Sequence, residues 1–272
     1  MPIAVIDDIE LFHERHGEGP RLLFIGGTGG DLRQKPNVFE GPLAKRFDLL
    51  AYDQRGLGRS SKPDRPYAMA DYAADAAGLL DHVGWDDCAV IGVSFGGMVA
   101  QELAIRHPKR VTRLVLACTS SGGAGGASYP LHELEDLAPR ERAIRAIELG
   151  DRRCGADWRR EHPDAFERML ALYTARQSAG GAADPAAERG ARLQLEARRG
   201  HDTWDRLHRI ACPTLICGGH HDDIAPPANS QALASRIPDS RVALFDGGHL
   251  FMIQDRAALP AMIEFVAGAS GG

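Results

Sequence analysis

The 272-residue chain reads as an α/β protein built on a parallel sheet covered by helices on both faces. Short apolar runs of four to seven residues recur along it, the length of strands buried on both sides. Segments with helical spacing separate these runs, as right-handed crossovers require. With 44% hydrophobic and 25% charged residues, the composition suits one large domain that carries its own core.

Ile3–Ile6 and residues 9–14 read as two short strands around an Asp7-Asp8 hairpin. Arg21–Ile25 is a strand stopped by glycines. A polar stretch containing Pro36 leads to a strand over residues 47–52. The Ala- and Leu-rich residues 69–83 predict a helix, Cys88–Val93 a buried strand, residues 95–107 a helix ended by Pro108, and Val111–Ala117 a further strand. Residues 120–128, rich in Gly and Ser, read as a flexible boundary. Residues 130–209 carry 15 Arg and 15 acidic residues, helical spacing and no convincing strand, which predicts a helical insertion without bias toward an anionic ligand. Strand character returns at residues 213–217 and 241–245, with helices expected over 228–236 and from about 256.

The formal charge of −5 and pI near 6.1 argue against a nucleic-acid footprint and give no reason to expect a membrane partner. The start MPIAVIDDIELFHERHG lacks the apolar stretch of a signal peptide, so a soluble cytoplasmic protein is expected. Cys88, Cys118, Cys154, Cys212 and Cys217 form no CxxC and read as reduced core thiols.

The chemistry centres on Gly92-Val93-Ser94-Phe95-Gly96, a G-x-S-x-G that follows a strand and opens a helix. Such a turn projects the serine hydroxyl outward, and Gly92 and Gly96 remove side chains that would collide there. A neutral hydroxyl is a weak nucleophile and needs a base. His249, in Asp246-Gly-Gly-His-Leu-Phe251 after the last strand run, stands where a loop reaches the same sheet edge. His162, His201 and His208, flanked by charge, read as solvated. An acid that orients the histidine is expected after residues 213–217, where Asp222 and Asp223 both qualify; the loser would be solvated or capping. Four adjacent residues, His220 to Asp223, rarely face one ion, so no metal site is expected. An oxyanion would be held by the Phe95 N–H and by a donor from Gly26-Gly27-Thr28-Gly29-Gly30, with Thr28 N–H favoured. Trp158, Phe166, Met169 and Trp204 read as core of the insertion before they read as pocket lining.

The chain resembles the α/β-hydrolase superfamily over essentially its whole length. The resemblance rests on Gly92 to Gly96, Asp53-Gln-Arg-Gly-Leu-Gly-Arg-Ser60, His107-Pro-Lys-Arg-Val111, the Asp222 loop and Gly248-His249. Gly30-Asp-Leu-Arg33 and the spacing of Gly219, Asp222, Pro226 and Pro227 are similar to 3-oxoadipate enol-lactone hydrolases and related carboxylesterases. That spacing puts the acid at Asp222 rather than Asp223. The family often has His-Gly ahead of the oxyanion donor, where this chain has Gly26-Gly27.

The resemblance implies a mostly parallel eight-stranded sheet. It also implies a core of residues 1–121 and 210–272 and a helical cap over 122–209 after strand six. It further implies a hydrolase, and the expected chemistry is a Ser94-His249-Asp222 triad cleaving a small ester or lactone through an acyl-enzyme, with no cofactor. The expected partner is a small-molecule substrate with an apolar portion, and a homodimer is left open. Asp53 and Arg55 are expected as a charge pair bracing their loop, with Ser60 bonded to it. Arg33 is a candidate to receive a carboxylated lactone. C–C bond, thioester or amide hydrolysis, a non-turnover receptor and a lyase share the same residues and stand as alternatives.

Overall fold

A computed structural model of the chain describes residues 2–179 and 184–268. Eight strands form one sheet: β1 (Ile3–Ile6), β2 (Ile9–His16), β3 (Arg21–Ile25), β4 (Asp48–Tyr52), β5 (Cys88–Val93), β6 (Val111–Ala117), β7 (Thr214–Gly219) and β8 (Ser240–Phe245). Their order is β1-β2-β4-β3-β5-β6-β7-β8. β1 and β2 run antiparallel to their neighbours, and all other pairs are parallel. Helices α1 (Met69–His82), α2 (Phe95–Arg106), α7 (Pro227–Arg236), α8 (Phe251–Gln254) and α9 (Ala258–Val266) connect or flank the strands. Between β6 and β7 run α3 (Pro139–Gly150), α4 (Ala156–Glu161), α5 (Pro163–Ala179) and α6 (Pro185–Arg199), with no strand among the described residues. Residues 180–183 of that expected insertion lie outside the description.

The period of two along each strand divides the core. Leu23, Ile25, Leu50, Val90, Leu114, Leu116 and Ile216 face α1, α2 and α7. Leu22, Leu49, Ile91, Val115, Leu215 and Cys217 face α9 and Phe251. Both faces are dry, so these strands read in sequence as unbroken apolar runs.

The strand order places the site. After β3 the chain moves outward to β4, then returns through α1 to β5 on the other side of β3. Connections therefore diverge above the carboxyl ends of β3 and β5, where open α/β sheets bind ligands. Register brings Ile25 beside Gly92, Val93 beside Ala117, and Ala117 beside Cys217, so the loops that follow share one rim.

Several local expectations change. The stretch 120–128 is a packed turn: Ser120 and Ser121 are buried, the Ser120 and Ser128 hydroxyls pair at 2.8 Å, and Thr203 N–H donates to the Ser121 carbonyl. Asp53 and Arg55 do not pair with each other. Arg55 grips Asp75 of α1 through Nε and Nη2, both at 2.6 Å, and both residues are buried. Asp53 instead accepts N–H groups from Leu32 at 2.7 Å and Arg59 at 2.9 Å. The Ser60 hydroxyl donates to the Asp53 carbonyl, within its own loop. Phe166 is buried in a small cluster inside the 130–209 segment, with Trp158 and Met169 packed against it. Trp204 packs on the main core. All five cysteines are free and buried. Among the described residues, no helix is long and apolar enough to cross a membrane.

His201 is buried rather than solvated, because the residues after α6 fold under the 120–128 turn and its Nε2–H donates to the Ser120 carbonyl at 3.2 Å. Burial pushes its imidazole down to about 4 despite Glu102, Asp202 and that carbonyl, while Arg206 adds to the depression. The unfolded chain thus binds a proton near the ordinary histidine value that the folded chain refuses until about pH 4. Stability is expected to fall as pH drops through that window, by up to roughly 3 kcal/mol. Comparing thermal unfolding of wild type and His201→Gln from pH 7 to pH 4 checks it. The variant should show a flatter curve, and parallel curves would contradict the assignment.

Candidate active site

Ser94 sits between β5 and α2 with φ 55° and ψ −115°. That conformation costs about 1–3 kcal/mol and persists only where surroundings enforce it. Ser94 N–H donates to the Ala117 carbonyl at 2.8 Å, and the Thr119 hydroxyl donates to the Ser94 carbonyl at 2.8 Å. The flanking glycines are steric necessities: a Cβ on Gly96 would collide with the Ile25 carbonyl, and one on Gly92 with the Gly96 carbonyl. The elbow is thus wedged between β3 and β6, with the serine 8% exposed.

His249 and Asp222 reach the same point from loops after β8 and β7. His249 Nε2 stands 3.0 Å from Ser94 Oγ, and Nδ1 stands 2.7 Å from Asp222 Oδ2. Asp222 is fully buried, and its Oδ1 accepts the Ile224 and Ala225 N–H groups at 2.8 and 2.9 Å. A carboxylate so committed can only accept from the imidazole. Nδ1 is therefore the protonated nitrogen, and the Nε2 lone pair faces the serine hydroxyl. Asp223 is half-exposed and faces Arg152 at 3.6 Å, while the histidine bonds Asp222.

The end of α3 ties both loops together. His249 N–H donates to the Gly150 carbonyl at 2.6 Å, and Arg152 N–H donates to the His221 carbonyl at 3.0 Å. Gly248 lies so close to this turn that a Cβ would collide with the Gly150 carbonyl and crowd Asp151. Gln254 donates to Asp151 at 3.0 Å and accepts from Gly248 N–H at 2.8 Å. Nothing in the spacing of residues 150–154 reveals this role, since it depends on contacts about a hundred residues apart in sequence.

The loop after β3 passes beside the serine: a Cβ on Gly27 would lie 3.5 Å from Ser94 Cβ. Its backbone is pinned on either side of Thr28. Gln54 donates to the Gly26 carbonyl at 2.9 Å, Gly30 N–H donates to the Gly27 carbonyl at 3.2 Å, and Gln194 Oε1 of α6 accepts Gly29 N–H at 2.9 Å. The N–H groups of Thr28 and Phe95 have no acceptor among the described residues. Phe95 N–H also lies at the positive end of α2. Gln194 was invisible to sequence reasoning, because its partner is 165 residues away. Arg33 folds back onto Asp31 through Nε at 3.0 Å and Nη2 at 2.5 Å, so its guanidinium is already matched.

His221 lies 3.3 Å from Asp246, and the described residues contain no group of three or more His, Cys, Asp or Glu placed to hold a metal ion.

The chain is similar to known proteins over nearly its whole length. A family model described as the α/β hydrolase fold matches residues 20–255. The poly(3-hydroxyalkanoate) depolymerase of Ectopseudomonas oleovorans is 31% identical over 90% of this chain and 83% of its own. 3-Oxoadipate enol-lactonase 2 of Acinetobacter baylyi is 27% identical over 95% of this chain and 93% of its own. Among solved structures, the enol-lactonase from Burkholderia xenovorans LB400 matches with a TM-score of 0.75 and 25% identity over 98% of both chains.

Proposed function

The chain belongs to the α/β hydrolase fold family, and from that premise we propose that it is a serine hydrolase of a small ester or lactone with an apolar portion. The observation that carries this reading is the aligned pair of contacts at His249, 3.0 Å to Ser94 Oγ and 2.7 Å to Asp222. Two of the relatives, named as a poly(3-hydroxyalkanoate) depolymerase and a 3-oxoadipate enol-lactonase, support this bond class.

Ser94 Oγ attacks the substrate carbonyl while His249 Nε2 takes its proton. Asp222 holds the ring in the accepting tautomer and stabilises the imidazolium. The Thr28 and Phe95 N–H groups, free of internal acceptors, receive the developing oxyanion. Collapse of the tetrahedral adduct breaks the C–O bond, and His249 returns its proton to the leaving alkoxide. Water then adds to the acyl-serine with His249 again as base, the C–Oγ bond breaks, His249 returns the proton to Ser94 Oγ, and the acid departs. Residues 122–209 act as a cap over this site. Gln194 on the oxyanion loop and Gly150 on the His249 loop support that role.

Exposure to an organophosphonate fluoride should give one covalent adduct per chain, with loss of fluoride. Mass spectrometry should place it on Ser94. An adduct elsewhere, or none, removes the assignment.

A further inference from the structure

α6 turns one face inward, with Gly190, Leu193, Gln194, Ala197 and Arg198 buried. Gln194 holds the oxyanion loop at Gly29. Arg198 stands on the same face four residues on, about 6 Å along the axis. It lines a cavity of about 110 Å³ together with Met98, Ser120, Ser128, His132 and His201. Two of these walls adjoin the elbow: Met98, in the first turn of α2, donates its N–H to the Ser94 carbonyl, and Ser120 follows the threonine that bonds the same carbonyl.

Arg198 is 6% exposed, and its guanidinium makes no hydrogen bond or ion pair among the described residues; Nε and Nη2 are buried without a partner. The residues whose side chains are undescribed, 1, 176–183 and 269–272, include no Asp or Glu to supply one. Elsewhere the same Nε–Nη2 edge grips a carboxylate: Arg15 on Asp48, Arg33 on Asp31, Arg55 on Asp75 and Arg153 on Asp151. Burial pushes the Arg198 guanidinium down to about 10, so it remains cationic at neutral pH. His201 is neutral there and adds no charge. Glu102, which acts on His201, is already bonded to Arg106 and Arg206. A buried, unpaired cation is costly, and a planar monoanion is the group that best compensates a guanidinium.

We propose that this cavity holds a carboxylate against Arg198, and, resting on the hydrolase reading, that the carboxylate is carried by the substrate, so that the ester or lactone has an anionic end remote from the scissile carbonyl.

Two readouts test it. In thermal unfolding of Ser94→Ala, monomethyl succinate should raise Tm in a concentration-dependent way and dimethyl succinate should not. Adding Arg198→Met should remove the effect, and Arg198→Lys should keep part of it. In turnover, the ratio of kcat/KM for mono-p-nitrophenyl succinate to that for p-nitrophenyl butyrate should fall about tenfold or more in Arg198→Met. Competition between monomethyl succinate and the anionic ester puts the carboxylate on the substrate; stabilisation without competition puts a separate carboxylate in the same site. Equal Tm shifts from the anion and the neutral diester leave the cavity to water and overturn the proposal, whether or not the arginine variants fold. Failure of the wild type to turn over either ester, with anion stabilisation intact, would instead remove the hydrolase reading and leave the anion site.

Discussion

Replacing Ser94 with alanine is expected to lower kcat for p-nitrophenyl butyrate by about 10⁴- to 10⁶-fold while Tm shifts by no more than about 3 °C. The kinetic loss is large because three groups act as one unit. Without Oγ there is no nucleophile for His249 to activate, and the two backbone donors can stabilise only an uncatalysed attack by water. The small stability effect follows from the elbow's construction. Its φ of 55° is enforced by the Ser94 N–H bond to the Ala117 carbonyl, by the Thr119 hydroxyl on the Ser94 carbonyl and by the glycines, none of which uses the serine hydroxyl. Alanine meets the same backbone strain as serine, and the change removes only the 3.0 Å contact to His249. Steady-state kinetics and circular dichroism on the same preparation separate the two effects. Retention of more than a tenth of wild-type kcat would end the nucleophile assignment.

What the sequence revealed follows from how each feature is encoded. β3, β5 and β6 match their expected bounds because most residues of each are apolar and buried on both faces, so the runs stand out in sequence. β2 runs two residues beyond expectation, to His16. Arg15 and His16 look like a loop in sequence, but they pair with Leu50 and Leu49 of β4, and Arg15 finds Asp48. The seeming flexibility of residues 120–128 came from composition. Its glycines instead allow close packing against His201, Asp202 and Trp204. The three side chains of the site were legible because each sits at a fixed offset from a strand end. The parts that hold them were not. Gln194, Gly150 and Asp151 act through contacts made only after the helical segment packs on the rim. Arg198 carries no motif at all, and its interest lies in the partner it lacks.

Asp222→Asn is expected to reduce kcat for the same ester by about 10⁴-fold with little change in KM. The expected loss comes from a tautomer rather than a lost contact. Oδ1 of Asp222 accepts two backbone N–H groups, from Ile224 and Ala225. In the variant the amide oxygen must stay on those donors, because turning the NH₂ toward them would bury donors against donors. The NH₂ therefore replaces Oδ2 and points at His249 Nδ1, which can meet it only as an acceptor. The ring proton moves to Nε2, and Nε2–H then faces Ser94 Oγ as a donor, so it cannot take the serine proton. The geometry survives while the base is lost, which is why substrate binding should change little. Asp223→Asn is the internal control. That residue is half-exposed and turned toward Arg152, so its kcat should stay within about threefold of wild type. Measuring both variants on one ester decides between the adjacent aspartates. Comparable losses in the two, or a larger loss at Asp223, would mean that the imidazole takes its orientation from somewhere other than the buried carboxylate.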